Sequence, residues 1–196
     1  MKITENIEKL TRWVQDNICS QIELLKPNDN QMSSNYEIEY VHPKAFSLYI
    51  PAKDCLPPGT DTKLPAVCIQ LVDGNDNLKT DEEILNIRLA FAVWRPGKYI
   101  VEDIEKDGET VKQQSLITNT DGWKDVWNFL QKAKKTIQKQ MYIEGMKVDR
   151  TEVMKFGFFT VDETMVNAYP EWYAWLSFRL KYGLSAMPEN DIQKFL

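Results

Sequence analysis

Hydrophobic residues recur along this chain with two different periods, and the order of those periods limits the fold. Apolar residues three and four positions apart predict a helix over 1–26 and a second helix over 121–142. Apolar runs and runs of alternating apolar and polar residues predict strands over 64–95 and 147–182. Because strands do not alternate one for one with helices, we expect an α+β fold, with both helices packed on one face of a largely antiparallel or mixed β-sheet.

Two further segments separate these elements. Alternating runs at 36–40 and 46–50 flank a short connection at 42–44, which predicts a hairpin over 36–51. The segment 98–118 is acidic and has no clear period, so we expect a long exposed excursion there. With 196 residues, the chain has the length of one domain, and we expect 1–196 to fold as a single domain.

Composition argues against several classes of protein. The chain has 24 Lys and Arg against 29 Asp and Glu, a net charge of −5, whereas a dedicated nucleic-acid-binding domain is usually strongly basic. The longest apolar run, 89–94, is far shorter than the ~20 residues of a membrane span, and the N-terminus is too polar for a signal peptide. Cys19, Cys55 and Cys68 lack a CxxC spacing, which favours free thiols in the reducing cytoplasm.

The residues of common catalytic and phosphate-binding motifs do not come together in this sequence. His42 is the only histidine and lies in a predicted turn, so a catalytic triad or a zinc site is not expected. The glycines are scattered, and neither a phosphate-binding loop nor a dinucleotide fingerprint is present. We therefore expect no catalytic activity, no cofactor and no metal.

One partial motif resembles a calcium loop. Asp73, Asn75 and Asn77 occupy its first, third and fifth positions, but Leu78 and Ile84 stand where the loop needs Gly and Glu. The sequence therefore favours a polar connection between strands over a calcium site.

Aromatic residues are concentrated before and within the last strand. Alternation places Trp172 with Leu176 and Phe178 on the face expected to pack under the helices, and Tyr173 with Trp175 on the other face. That other face needs cover from the acidic excursion or from a second subunit, because Trp and Tyr are enriched in interfaces. The predicted subunit-interface residues are Trp94, Arg95, Tyr169, Tyr173 and Trp175.

A first helix that precedes a variable hairpin, followed by three segments in this order, resembles a known family. The segment 64–74 has an aliphatic strand that starts with a proline and ends in an acidic turn. The segment 122–130 opens a helix with Gly, Trp and Asp-Val, and 168–173 carries a Tyr-Pro-x-Trp turn before the last strand. Together they resemble the tail-terminator or tail-completion (tail-to-head joining) proteins of bacteriophages that infect Gram-positive hosts and of phage-tail-like particles.

The resemblance implies a function in assembly without catalysis or a cofactor. Such a protein forms a ring, typically a hexamer, that caps the finished tail tube and offers a surface to the head or neck. The implied partners are further copies of the chain, the tail tube protein and a neck or head-completion protein, with DNA passing through the ring lumen and no membrane involved. The implied location is the head-proximal end of the virion tail, after assembly in the host cytoplasm. The alternative is a small phage-encoded binding module, an inhibitor or adaptor that acts on a host protein as a monomer or dimer.

Overall fold

The computed structural model describes residues 2–27, 38–58, 60–77, 79–106 and 109–183. Two helices and thirteen strands lie in these ranges, together with short 3-10 turns at Cys19–Gln21 and Lys53–Cys55. In chain order the elements are α1 (Lys2–Asn17), β1 (Leu24–Leu25), β2 (Tyr40–Val41), β3 (Lys44–Ser47), β4 (Ala66–Asn77), β5 (Glu82–Trp94), β6 (Gly97–Lys106), β7 (Glu109–Thr118), α2 (Gly122–Lys139), β8 (Tyr142–Ile143), β9 (Met146–Val148), β10 (Lys155–Phe158), β11 (Thr160–Val161), β12 (Thr164–Met165) and β13 (Glu171–Gly183).

A mixed sheet forms the centre of the molecule. Its strands follow the order β3-β4-β5-β13-β9-β8, and β10 also pairs with β13. In this sheet β3 and β4 run parallel, whereas the long strands β4, β5 and β13 pair antiparallel. The α+β prediction with a largely antiparallel, mixed sheet is confirmed.

Both helices pack on the same face of this sheet, as predicted. The strict alternation of β5 buries its residues at 85, 87, 89, 91 and 93 toward the helices, and Phe91 meets Phe129 of α2 edge to face at 4.9 Å between ring centroids. We call the buried residues on this side the main cluster. It includes Leu10 and Val14 of α1, Phe129, Leu130 and Ile137 of α2, Val67 and Ile69 of β4, and Ala174, Leu176 and Leu180 of β13.

The first helix is shorter than predicted. It ends at Asn17 instead of position 26, and the chain continues through the 3-10 turn into β1. Ile18, Leu24 and Leu25 are nevertheless buried. The apolar spacing therefore continued past the helix because the turn and the strand bury side chains at similar intervals. The second helix begins one residue later and ends three residues earlier than predicted.

The hairpin predicted over 36–51 is wrong, and its first two residues lie outside the described ranges. Its two runs pair with other strands: β2 pairs antiparallel with β1, and β3 pairs parallel with β4. The chain changes partner at Pro43, after which the amide of Lys44 donates a hydrogen bond to the carbonyl of Pro65. Alternation predicts that a segment is a strand but leaves its pairing partner open, which explains the error.

The segment 98–118 is exposed, as predicted, but it is not irregular. Strands β6 and β7 form one antiparallel hairpin whose register runs from Gly97 opposite Thr118 to Lys106 opposite Glu109. We call this hairpin the arm. A ribbon that buries neither face needs no strict alternation of apolar and polar residues, so its sequence carries no strong strand signal.

Other boundaries also differ from the predictions. The stretch from Asp73 to Asn77 is not a connecting loop but the end of β4, paired with β5 beyond a β-bulge between Leu71 and Asp73. The side-chain amide of Asn86 donates to the Asp73 carboxylate. The region 147–182, predicted to form strands, corresponds to four short strands, β9 to β12, and one long strand, β13.

Candidate interaction surface

The sheet face opposite the helices is covered at one end by a second cluster. The loop 48–64 and the ends of β1, β3 and β5 meet there. This second cluster contains Leu25, Phe46, Leu64, Ala66, Ala92 and Trp94, with Tyr99 and Tyr173 packed against it. Beyond it the same face is not covered by a helix.

An apolar groove of about 450 Å³ lies next to the second cluster on this face. Small residues of β4 and β5, Cys68, Ala90 and Ala92, form its floor, so another molecule can approach the sheet backbone closely. The sides of the groove come from two loops and from the last strand: Leu48, Tyr49, Ile50, Phe159, Val166 and Tyr173.

Leu48 forms an unusual lip of this groove. Its φ angle is 68°, in the left-handed region that leucine rarely adopts, and its amide donates a hydrogen bond to the carbonyl of Ile69 at 2.8 Å. Its side chain is 53% exposed. An exposed leucine therefore occupies a strained backbone position without contributing to either cluster of the chain.

A cationic side chain lies beside the groove. Arg88 precedes Ala90 by two residues on the same face of β5, and it opposes Gln70 of β4. Its guanidinium carbon lies 5.5 Å from the ring centroid of Trp175, and its buried Nε has no hydrogen-bond partner in the described part of the chain. The surface thus has an apolar groove with a positively charged guanidinium group beside it, whose Nε is itself buried.

Three of the five predicted interface residues support the chain's own structure. Trp94 is only 3% exposed and belongs to the second cluster. The Arg95 guanidinium lies 3.4 Å from the Asp125 carboxylate, which connects β5 to α2. The hydroxyl of Tyr169, an exposed residue, donates to the carbonyl of Pro96 at 2.5 Å. These contacts lie within the chain, and the interface role of the three residues stays a prediction.

The other two lie on the face that carries the groove. Tyr173 lines the groove, and its hydroxyl donates to the Glu171 carboxylate; burial and this carboxylate raise the pKa of the phenol. Trp175 lies next to Arg88, is half-buried and donates its indole N–H to the carbonyl of Phe158 at 3.1 Å. Sequence reasoning therefore found one groove residue, Tyr173, and missed the lip and the floor.

The histidine and two of the cysteines considered for chemistry have the following surroundings in the described part of the chain. The Nδ1 of His42 lies 2.9 Å from the carbonyl oxygen of Ile22, a local contact. Burial raises the pKa of Cys19 to about 12 and that of Cys68 to about 11, so both thiols stay protonated near neutral pH. Among the residues that the structure describes, no three His, Cys, Asp or Glu side chains are grouped as metal ligands.

Neither helix described is long and apolar enough to cross a bilayer.

Asp149 is a buried carboxylate with a structural explanation. Its side chain is held by the hydroxyl and amide of Thr151, at 2.7 and 3.1 Å, and by the Lys181 ammonium at 3.0 Å. Burial alone would raise the pKa of Asp149, but these hydrogen bonds and the positive charge outweigh it and lower the pKa. The group therefore connects the turn after β9 to β13 as a charged carboxylate.

Replacing Asp149 with asparagine is expected to destabilise the fold in a pH-dependent way. The lowered pKa stabilises the folded state above about pH 4, the ordinary value, and this contribution is lost as the pH falls through the lowered pKa. We expect Asp149→Asn to lower the free energy of unfolding by about 1–3 kcal/mol near neutral pH, and by much less near pH 3. Urea denaturation at both pH values measures the difference.

A matched control is the exposed carboxylate of Glu152, which lies 3.0 Å from Arg179. Because it is exposed, Glu152→Gln should change the free energy of unfolding by less than about 1 kcal/mol. A loss in Asp149→Asn that stays the same at both pH values would mean that the charge of Asp149 does not matter.

Comparisons with known proteins do not assign this chain to a family. A scan against protein-family models found no matching model, and a search of curated proteins found no match. Conclusions about function therefore rest on the order of the elements and on the surface described above.

Proposed function

We propose that this chain is a structural virion protein that forms a ring on the tail tube, ends tail polymerisation and provides the surface for head or neck attachment. The proposal begins from the order of elements that resembles the tail-terminator family. The observation that carries it is the apolar groove on the sheet face that the helices leave uncovered. Contiguous exposed apolar surface of this kind marks interaction sites in soluble proteins.

The proposed mechanism is assembly alone. The terminator ring covers the surface of the last tube ring to which a further tube ring would otherwise bind. The terminator ring itself presents no surface to which a tube ring can bind. A head-to-tail interface between identical chains closes into a ring when the rotation per subunit divides a full turn, and the family suggests six subunits. The partners are further copies of the chain, the tail tube protein and a neck protein, and DNA passes through the lumen.

A second candidate is a binding module that acts on a host protein as a monomer or dimer. The concave groove favours it, because a volume of about 450 Å³ is in the range of sites that hold small ligands or single side-chain clusters. The two candidates differ in the structure that depends on the chain: a phage tail in the first and a host complex in the second.

The direct test is to delete the gene for this chain from the genome of the phage or phage-tail-like particle that encodes it. We expect tails of irregular and excess length that fail to join heads, because nothing caps the tube, and electron microscopy of lysates measures tail length. Supplying the intact chain in trans should restore normal length. Tails of normal length that carry heads in the deletion would reject the terminator function and favour the binding module.

A further inference from the structure

We infer that the arm of one copy seats in the apolar groove of the next copy, so that arm and groove together form the ring contact. This inference rests on the proposed function, because it takes a second copy of the chain as the occupant of the groove. It extends that function by assigning the two surfaces that meet.

Few of the residues that the structure describes pack against the arm. Among its described residues, only Tyr99 at the base packs against either cluster. Val101 and Ile117 are exposed aliphatic residues on its two strands. A two-stranded hairpin is at best marginally stable in water unless it packs against something else. The arm has ten residues per strand and is about 33 Å long, and beyond Tyr99 the described part of the chain offers it no packing partner, which favours a partner outside the chain.

One face of the arm matches the groove in chemistry and spacing. Alternation along β6 places Ile100, Glu102 and Ile104 on one face, each about 6.6 Å from the next. Ala90 of the groove floor and Arg88 are separated by the same two-residue step on β5. If Ile104 lies over Ala90, Glu102 comes next to Arg88, and its carboxylate can pair with the positive charge of the guanidinium group.

The strained lip gives independent support. A backbone position in an unfavourable region persists where the side chain it presents serves a purpose, and such positions concentrate at binding sites. Leu48 has this strain, is exposed and lines the groove. A docked arm would cover Leu48 and give its position a purpose that the isolated chain does not.

The arm of a second copy is a better occupant of the groove than the arm of the same chain. The arm begins at Gly97, three residues after Trp94; among the described residues its two strands pair with one another, and Tyr99 at its base packs against the second cluster. A closed ring needs two different surfaces on each subunit that contact one another head to tail. The arm and the groove are two such surfaces, and they are complementary in charge and in apolar character.

The first test replaces Leu48 with asparagine, which tolerates the left-handed region and lacks the apolar side chain. The folded monomer should be at least as stable as the natural chain, whereas self-association measured by sedimentation should weaken about tenfold or more. Val153→Asn is the matched control, because Val153 is 75% exposed and lies outside the groove. Equal association of all three proteins would overturn the inference.

The second test is a cross-link between two single variants, both with Cys55→Ser because Cys55 is the exposed native thiol. One variant carries Ile104→Cys on the arm and the other Tyr49→Cys on the groove, and a short bismaleimide joins thiols that come close. A covalent dimer in the mixture supports the inference. The absence of a covalent dimer in the mixture overturns it.

These results separate the inference from the proposed function. Oligomers that form without the arm-to-groove cross-link reject the inference and leave the ring possible. A cross-link in the mixture together with normal, head-joined tails in the gene deletion supports the contact and rejects the tail function.

Discussion

Replacement of Trp172 with alanine is expected to lower the free energy of unfolding by about 3 kcal/mol, because a large aromatic side chain leaves a cavity. The indole packs against the main cluster and donates its N–H to the carbonyl of Arg95 at 3.0 Å. It thus joins β13, the end of β5 and the start of α2. Urea denaturation of the isolated chain, followed by circular dichroism, measures the loss.

Trp123 is the matched control for this substitution. It lies in the first turn of α2 but is 41% exposed. Trp123→Ala removes the same side chain, and we expect a change of no more than about 0.5 kcal/mol, as for most surface positions. Equal losses in Trp123→Ala and Trp172→Ala would show that the indole of Trp172 is not part of the packed core.

Gly122 gives a second check on the same contact. A Cβ at this glycine would lie 2.1 Å from Nε1 of Trp172, so Gly122→Ala should be destabilising by about 1–3 kcal/mol through overpacking. In the Trp172→Ala background the indole is gone, and the same alanine should cost much less. Additive losses in the double variant would place the two residues out of contact.

The sequence predicted the elements that bury one face against the helices. In β5, β13 and α2 the burial of a single face imposes a regular apolar period, which is readable without knowing the neighbours. This is why alternation placed Trp172 on the helix-covered side and Tyr173 on the other side. The α+β class followed from the order of these elements.

The pairing of the strands could not be predicted from the apolar pattern in the same way. The parallel contact between β3 and β4 and the antiparallel contact between β1 and β2 join segments whose local patterns fit several partners. The arm escaped detection as a hairpin because both of its faces are largely exposed. The spacing of apolar residues alone does not reveal a hairpin whose two faces are both exposed.

The groove was even less visible in the sequence. Its floor consists of Cys68, Ala90 and Ala92, small residues that also occur in ordinary cores, and its lip depends on the φ angle of Leu48. The large aromatics suggested a binding face, but Trp94 is buried in the second cluster and Trp175 is held by its bond to Phe158. Aromatic size indicated the face of the sheet that carries the groove, and of the two aromatics predicted there Tyr173 lines the groove whereas Trp175 does not.

Shortening the arm is expected to abolish assembly while leaving the domain folded. The variant replaces residues 101–114 with Asn-Gly, so that Ile100 and Ser115, which are opposite one another in the register, flank a two-residue turn of the type that hairpins prefer. None of the described residues removed belongs to either cluster, and Tyr99 keeps its place at the base. The free energy of unfolding should therefore change by less than about 1 kcal/mol.

Assembly should be lost although the domain stays folded, because the removed residues include Glu102 and Ile104. We propose that these two residues contact Arg88 and the groove of the next copy. When the shortened chain is supplied in trans to the gene deletion, tails should stay as long and as headless as in the deletion alone. The Val153→Asn chain, supplied in the same way, should restore normal tail length and head attachment. Electron microscopy of tail lengths and counts of infectious particles give the two readouts. If the shortened chain restores normal tails, the arm is dispensable for the ring. The subunit contact must then use other surfaces, such as the open edge of β4 beyond the four residues that pair with β3.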